Sequence, residues 1–282
     1  MANHHFGKFA DIWKHLVLNE VLAAAKPKRY AETHAGSAAY PIVDDAERRY
    51  GVLGFLEWSG SQPLASAPYT HVVSEFASKQ PPEYPGSALQ AMRMLGDDAA
   101  YLLCDLDPAS ASDLRTWAAR LGLGNCEVAE RDGMAAVREW MTGTTSTVVH
   151  IDPFDPFARA NGAPSAVGLA AEVAEAGHVL VYWYGYSVPA ERAWAVEKIR
   201  AGTTAPVWWG DFLATTDGAT RDDGDLGSAT SAGTGSGVVL ANVSADVVGR
   251  CTELAGALVA TYRDKRLPSG EPGRLDLAIG AA

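Results

Sequence analysis

Acidic residues follow four successive apolar segments of the chain: Glu32, Asp105, Asp132 and Asp152. In an open parallel sheet such strand ends meet at one edge, where ligands bind. An acid after the second strand suits a ribose diol, and the pair Asp132-Gly133 after the third suits an adenine amino group. Because solvent-facing acids would be scattered over both edges, we expect these side chains to line one site.

The last of these acids belongs to the sequence HIDPFDPF at 150–157. Asp152 can accept a hydrogen bond from the N–H of a nucleophile and then take or pass on its proton. Phe154 can stack on a flat ring. Asp155 is either a second acid of the reaction or a turn residue. We therefore take Asp152 and Asp155 as candidate catalytic residues and Phe154 as a candidate substrate-binding residue.

The sequence contains neither Gly-x-Gly-x-x-Gly nor Gly-x-x-x-x-Gly-Lys, so a dinucleotide or a triphosphate is poorly supported. A ligand with ribose and adenine but no phosphate agrees better with the strand-end acids, and S-adenosylmethionine is the common one. The expected chemistry is an in-line displacement at the sulfonium methyl. Holding the nucleophile about 3–3.5 Å from the methyl carbon would supply most of the catalysis.

Alternating sequence patterns predict the elements that position these residues. A helix over 9–25 must end before Pro27, because proline cannot continue a helix. Later helical and strand-like stretches alternate, which predicts an α/β fold with a mostly parallel sheet of seven strands. We expect one domain over 1–282, with a small helical insertion at about 41–84. We also expect a mobile loop at about 214–237 that is a lid or a long hairpin connection.

Six stretches of the chain are similar to one protein family. They are, in order, HHFGKFADIWKH, ETHAGSAAY, EYPGSALQAMRML, RDGM, HIDPF and GSGVVLANV. Over nearly the whole chain they resemble the RlmJ-like bacterial methyltransferases, which transfer methyl from S-adenosylmethionine to the N6 of an adenine in 23S rRNA. The combination of AD-x-x-KH, THAG and YPGS is the most specific part. The resemblance implies the class I methyltransferase (Rossmann-like) fold, with seven strands and an N-terminal helix before the first strand.

The resemblance also implies roles for individual residues. The cofactor would contact His15, His34, Gly36, Ser87, Asp105, Asp132 and Gly133. Asp152 would match the family's catalytic aspartate. Without the motifs, His15 would be interpreted as a surface or core histidine and Ser87 as a helix cap.

The chain departs from the family at positions that concern the methyl acceptor. The family loop Asp-Pro-Pro-Tyr reads Asp-Pro-Phe-Asp over 152–155, so that an acid replaces the stacking tyrosine. The family run Gly-Asn-His-Ala-Asp reads Gly-Lys-Phe-Ala-Asp over 7–11, which makes Lys8 and Phe9 candidate substrate-binding residues. Since the cofactor positions are kept, we expect the methyl donor to be retained and the acceptor to have changed.

Two aromatic sets, YWYGY and VWWGDF, fall on neighbouring predicted strands. Alternate members must face the core, and the others can wall a pocket for a flat acceptor. We take Tyr184 as a candidate residue of that wall.

Three functional hypotheses follow. The first is an S-adenosylmethionine-dependent methyltransferase for a small aromatic or heteroaromatic acceptor of specialised metabolism, with transfer to carbon, oxygen or nitrogen left open. The alternative is N6-methylation of an adenine in 23S rRNA, with Phe154 stacking on the base. It needs a local basic patch of Lys8, Lys14, Lys26, Lys28 and Arg29. The third is a cofactor-binding module that has lost catalysis and serves as a partner or regulator.

The bulk composition limits the partners and the compartment. The net charge of −11 favours a small-molecule acceptor over RNA. No apolar run approaches the ~18–20 residues that span a bilayer, and the N-terminus has no apolar signal core. The three cysteines are widely spaced and form no metal-binding pattern. We expect a cytoplasmic protein without a metal, as a monomer or homodimer.

Overall fold

A computed structural model describes residues 6–142, 146–156, 165–186, 189–216 and 235–281. Its α-helices are α1 (Phe9–Ala25), α2 (Ala46–Tyr50), α3 (Val52–Trp58), α4 (Pro68–Ala77), α5 (Ser87–Leu95), α6 (Pro108–Arg120), α7 (Gly133–Trp140), α8 (Ala166–Glu175), α9 (Pro189–Ala201) and α10 (Ala245–Tyr262). Its strands are β1 (Arg29–Glu32), β2 (Ala39–Pro41), β3 (Glu83–Pro85), β4 (Ala100–Cys104), β5 (Cys126–Ala129), β6 (Val148–Ile151), β7 (Val179–Tyr186), β8 (Val207–Thr216), β9 (Gly235–Ala241) and β10 (Gly273–Ala281).

The main sheet has the order β10-β8-β9-β7-β6-β1-β4-β5. Neighbours from β7 to β5 are parallel, and the pairs β7–β9, β9–β8 and β8–β10 are antiparallel. The expected α/β class with a mostly parallel sheet is confirmed, but the count of seven strands is wrong, because β10 adds an eighth. We predicted no strand after the last helix. Leu275, Leu277 and Ile279 alternate with Asp276, Ala278 and Gly280, which is the period of a half-buried edge strand, and we did not use this signal.

Helices cover both faces of this sheet. One core cluster joins the sheet to α1, α4, α5, α6 and α10, and the other joins it to α7, α8 and α9. Helix α1 is buried along nearly its whole length because it packs on α4, α5, α10 and β9. This packing fixes the side chains of α1 beside the ends of the parallel strands.

The segment 41–84, expected to be a helical insertion, holds α2, α3, a 3-10 helix at Leu64–Ser66 and α4. Strands β2 and β3 flank it and pair antiparallel, with Ala39 opposite Pro85. This pairing brings the start of α5 close to the end of β1. The expected mobile loop at about 214–237 falls mainly on residues 217–234, which lie outside the described residues.

Within the described ranges, no helix is long and apolar enough to cross a membrane. No group of three or more His, Cys, Asp or Glu side chains in those ranges is placed to hold a metal ion. The three cysteines are unbridged, and Cys104 and Cys251 are buried.

Gly133, the first residue of α7, lies against the end of β1. A Cβ added there would be 1.9 Å from the carbonyl oxygen of Thr33. Because backbone cannot give way as a side-chain tip does, we expect Gly133→Ala to lower the free energy of unfolding by about 3 kcal/mol. The matched control is Gly256→Ala, at an exposed position in α10 where an added Cβ meets nothing within 4 Å. It should stabilise the protein by about 0.5–1 kcal/mol through helix propensity. Urea unfolding measures both, and equal small changes would contradict the close approach.

Candidate functional site

A cavity of about 370 Å³ lies at the carboxyl-terminal edge of the parallel strands. Its wall is formed by the segments that follow β1, β4, β5 and β6, by one face of α1 and by the start of α5. The volume falls in the range of small-molecule sites, about 300–1,000 Å³. The location is the one expected for ligands of an open α/β sheet.

All seven residues expected to contact a cofactor line this cavity: His15, His34, Gly36, Ser87, Asp105, Asp132 and Gly133. Asp152 and Phe154 line it as well. The structure therefore brings together residues from six separate segments of the chain.

Lys14 connects two carboxylates in the wall of the cavity. Its Nζ lies 2.7 Å from Asp152 Oδ2 and 2.9 Å from Asp11 Oδ1. Burial by itself would lower the pKa of Lys14, but the two carboxylates outweigh burial and raise this pKa above its ordinary value. Lys14, which we expected in an exposed basic patch, is instead a buried cation of the site. The spacing of Asp11, Lys14 and His15 places all three on one face of α1, and this pattern was visible in the sequence.

Asp152 is held as a carboxylate. Burial by itself would raise its pKa, but the ammonium of Lys14, followed by His150, lowers the pKa below its ordinary value. Asp152 is therefore ionised at neutral pH. In this state it is a good hydrogen-bond acceptor and a weak base.

His15 presents an unused ring nitrogen. Its Nδ1 lies 2.9 Å from Gln90 Nε2 and 2.7 Å from the Tyr84 hydroxyl. An amide nitrogen only donates, so Nδ1 accepts, and the proton of the neutral ring is on Nε2. Burial lowers the pKa of His15 well below its ordinary value, which keeps the ring neutral. Nε2 is buried and has no hydrogen-bond partner among the described residues, although His15 lines the cavity.

Glu32 is a fully buried carboxylate beneath the cavity, and we had noted it only as a strand-end acid. It accepts hydrogen bonds from the hydroxyls of Ser87 and, at 2.9 Å, Tyr30. It also lies 2.9 Å from His150 Nδ1. Because the Ser87 hydroxyl already donates to Glu32, it can offer only its lone pairs to a ligand. Ser87 is also not the helix cap, since α5 begins at Ser87 and Gly86 is its N-cap.

Backbone groups orient Asp105 and Asp132, the two acids that we expect to contact a cofactor. Asp105 Oδ2 accepts from the backbone N–H of Gly36, and Oδ1 accepts from that of Asp107, both at 2.8 Å. Asp132 Oδ1 caps α7 by accepting from the backbone N–H of Met134 at 2.9 Å. Each carboxylate is thus fixed in direction and keeps lone pairs for a ligand.

Lys8 and Phe9, expected to bind substrate, do not line the cavity. Lys8 Nζ lies 2.8 Å from Glu47 Oε2. Phe9 is fully buried and packs on Phe212 and Tyr262, with ring centroids 5.5 Å and 5.0 Å away. The helix period explains this placement, because Phe9 lies on the face of α1 opposite to the residues that line the cavity.

Tyr184, expected in the acceptor wall, points to the other side of the sheet. It is fully buried between Tyr182 and Tyr186, with ring centroids 6.2 Å and 6.0 Å apart. Trp183 lines the cavity instead, and its Nε1 donates to Ser236 Oγ at 2.9 Å. The sequence predicts the alternation along the strand but not which set faces the site.

Apolar side chains surround the mouth of the cavity. Phe154 and Leu106 are 78% and 74% exposed and both line the cavity. Phe6 and Tyr40 also line it, stacked with ring centroids 4.6 Å apart. Neither of this pair was a candidate in the sequence, because their positions follow no strand-end pattern.

Asp155, the second candidate catalytic residue, is exposed and is not among the residues that line the cavity. The next residues of this loop, 157–164, lie outside the described residues. The structure thus separates Asp152, at the cavity wall, from Asp155.

The residues of the expected basic patch do not form one surface. Lys8 pairs with Glu47 and Lys14 is buried. The other three, Lys26, Lys28 and Arg29, precede or open β1 and therefore lie at the edge of the sheet opposite to the cavity.

Comparisons with known proteins found a partial sequence match and a shared fold. No family model matches the chain. Over 123 residues it is 32% identical to ribosomal RNA large subunit methyltransferase J of Escherichia coli (strain K12). That alignment covers 40% of this chain and 43% of the relative, which is less than half the length of each.

A crystal structure shares the fold over nearly the full length. Protein LPL1258 from Legionella pneumophila, described as family DUF519, has a TM-score of 0.74 and 21% identity over 99% of this chain and 98% of that one. The O-methyltransferase TomG from Streptomyces achromogenes has a TM-score of 0.40 and 14% identity over 82% of this chain and 80% of that one. The first likeness shows the fold, and the second is too distant to support an argument.

Proposed function

We propose that this protein is an S-adenosylmethionine-dependent methyltransferase. The main supporting observation is the position of Asp152, ionised and held by Lys14 in the wall of a cavity that also contains Asp105 and Asp132. The partial sequence match to an rRNA methyltransferase agrees with this proposal.

The residues present fit the proposed cofactor. The free N–H of His15 Nε2 would hold an anionic group such as the carboxylate of the methionine part. Asp105, oriented by two backbone N–H groups, would accept hydrogen bonds from a ribose diol. Asp132, whose carboxylate lies at the start of α7, would accept from an amino group of the base. When bound, the cofactor supplies a methyl group on a cationic sulfur.

Asp152 would position the methyl acceptor. Its carboxylate accepts a hydrogen bond from an N–H of the acceptor and localises the nitrogen lone pair. Because the pKa of Asp152 is lowered, it is too weak a base to take the proton of a phenol before transfer. An amino nitrogen becomes strongly acidic only once it is methylated, and Asp152 can then accept its proton. The site therefore favours nitrogen over oxygen as the methylated atom.

A small aromatic or heteroaromatic amine is the acceptor that the surroundings of the site support best. Phe154 and Leu106 provide apolar surface at the mouth, and Trp183 provides a flat wall inside. The cations expected to contact RNA are buried, paired or on the opposite edge of the sheet. A nucleic acid would find little unpaired positive charge among the described residues beside this mouth.

An adenine of large-subunit rRNA is the second candidate acceptor. The observation that favours it is the sequence match to the E. coli rRNA methyltransferase, which covers 40% of the chain. The exposed ring of Phe154 would then stack on the target base. RNA binding should in this case weaken steeply as salt rises, because it depends on phosphate neutralisation.

The test uses S-adenosylmethionine with a labelled methyl group. It is supplied with unmodified large-subunit rRNA made by transcription or with a panel of aryl amines and phenols, and E. coli methyltransferase J is the positive control on RNA. We expect label in an aryl amine. Label in N6-methyladenosine would establish the second candidate.

The remaining outcomes of this test bear on the proposal as a whole. Calorimetric binding of the cofactor without any labelled product would support a module that has lost catalysis. Absence of cofactor binding would overturn the proposal.

A further inference from the structure

Asp11 makes the charged cluster in the cavity wall anionic. The ammonium of Lys14 lies within 2.9 Å of a carboxylate oxygen of both Asp11 and Asp152, so two negative charges share one positive charge. All three side chains are largely buried, with 7%, 9% and 17% exposure for Asp11, Lys14 and Asp152. Water therefore screens the excess negative charge only weakly.

The fold alone does not account for a buried Asp11. An acid in the first turn of a helix interacts well with the helix dipole, but an exposed acid obtains the same benefit. Burial of a carboxylate is costly unless its oxygens are paired. Asp11 Oδ2 has no hydrogen-bond partner among the described residues, although the residue lines the cavity. A cationic ligand in that cavity can offset the cost of burying the Asp11 carboxylate.

Other described groups around the cavity do not cancel this charge, since His150, beneath it, is paired with the carboxylate of Glu32 at 2.9 Å. Burial lowers the pKa of His15 and of His34, so both rings are neutral. Arg131 also lines the cavity, but its guanidinium is engaged with Glu139 at 2.7 Å. Asp105 and Asp132 add further negative charge to the wall.

We propose that Asp11 is a specificity-determining residue that makes the site prefer the cationic methyl donor to its neutral demethylated product. This inference rests on the proposed function, because it requires S-adenosylmethionine as the ligand. A sulfonium about 8–12 Å from one unbalanced carboxylate would be favoured roughly 10- to 30-fold over a thioether at an effective dielectric constant of about 20. Loss of the positive charge on methyl transfer would therefore promote product release.

The test measures dissociation constants by calorimetry at pH 7 for three ligands. They are S-adenosylmethionine, S-adenosylhomocysteine and the cofactor analogue in which a protonated amine replaces the methylsulfonium. In Asp11→Asn, Lys14 and Asp152 form a neutral pair, and we expect the preference for both cationic ligands over S-adenosylhomocysteine to fall about 10-fold. Asp11→Glu should keep the preference. Asp98→Asn, which removes an acid that is 90% exposed beside the start of β4, is the matched control and should change nothing.

Each outcome supports or overturns the inference. Equal weakening of all three ligands in Asp11→Asn would mean a structural role for Asp11 and would overturn it, as would no change. If Asp11→Asn does not fold, the test uses the wild-type protein alone. Tighter binding of S-adenosylhomocysteine than of the amine analogue by the wild-type protein would also overturn the inference. Failure of the wild-type protein to bind any of the three ligands would instead overturn the proposed function itself.

Discussion

Replacement of Asp152 by Asn is expected to lower the methyl-transfer rate at saturating cofactor by about 10²-fold or more, while cofactor affinity falls only about 10-fold through the loss of one negative charge. The amide keeps the size of the side chain but presents an N–H beside Lys14 and is a poorer acceptor for the N–H of the substrate. Lys14 keeps Asp11 as its partner at 2.9 Å, so the fold retains a neutral pair at this place. Single-turnover rates with the acceptor found by methyl labelling, together with calorimetry of the cofactor, measure the two effects separately.

Asp155→Asn is the matched control for this experiment. Asp155 is exposed and does not line the cavity, so we expect its substitution to leave the rate nearly unchanged. A loss as large as that of Asp152→Asn would restore Asp155 as a second acid of the reaction. An unchanged rate in Asp152→Asn would remove Asp152 from the mechanism.

Lys14→Met is expected to affect both stability and the pH dependence of the reaction. It leaves the carboxylates of Asp11 and Asp152 buried without their counter-ion, which should cost about 3–5 kcal/mol of unfolding free energy near neutral pH. The pKa of Asp152 should rise, because the largest cause that lowers it is removed and burial remains. The acidic limb of the pH–rate profile should therefore move to higher pH.

The direction of the stability change with pH distinguishes this ion cluster from a packing role of Lys14. In the wild-type protein the pKa of Asp152 is below its unfolded value, so its stabilisation is present above the ordinary carboxyl pKa and is lost as pH falls through the lowered pKa. In Lys14→Met the raised pKa reverses the sign, and the variant should gain stability as pH falls through it. Urea unfolding at several pH values measures both slopes.

Lys28→Met serves as the control for loss of a lysine charge. The Lys28 side chain is 69% exposed and lies 4.0 Å from Asp98, so its removal should change stability by less than about 0.5 kcal/mol. If Lys14→Met were as mild as Lys28→Met, the buried cluster would not exist in solution as described.

The sequence by itself predicted most of the polar residues that line the cavity. Asp105, Asp132 and Asp152 each follow an apolar strand, and parallel strands that alternate with helices bring their ends to one edge of the sheet. Local patterns are sufficient there, because each acid needs only to be at the end of its own strand. The short motifs around His15 and His34 added the residues that no strand pattern marks.

The tertiary structure decided the features that depend on contacts between distant segments. Lys14 and Asp152 are 138 residues apart, so nothing local in either segment shows that they form an ion pair. The pattern of β7 fixes that Trp183 and Tyr184 face opposite sides, but only packing selects Trp183 for the cavity. The alternation of Leu275, Leu277 and Ile279 marks β10 as a strand, but only the tertiary structure shows that it pairs antiparallel with the free edge of β8.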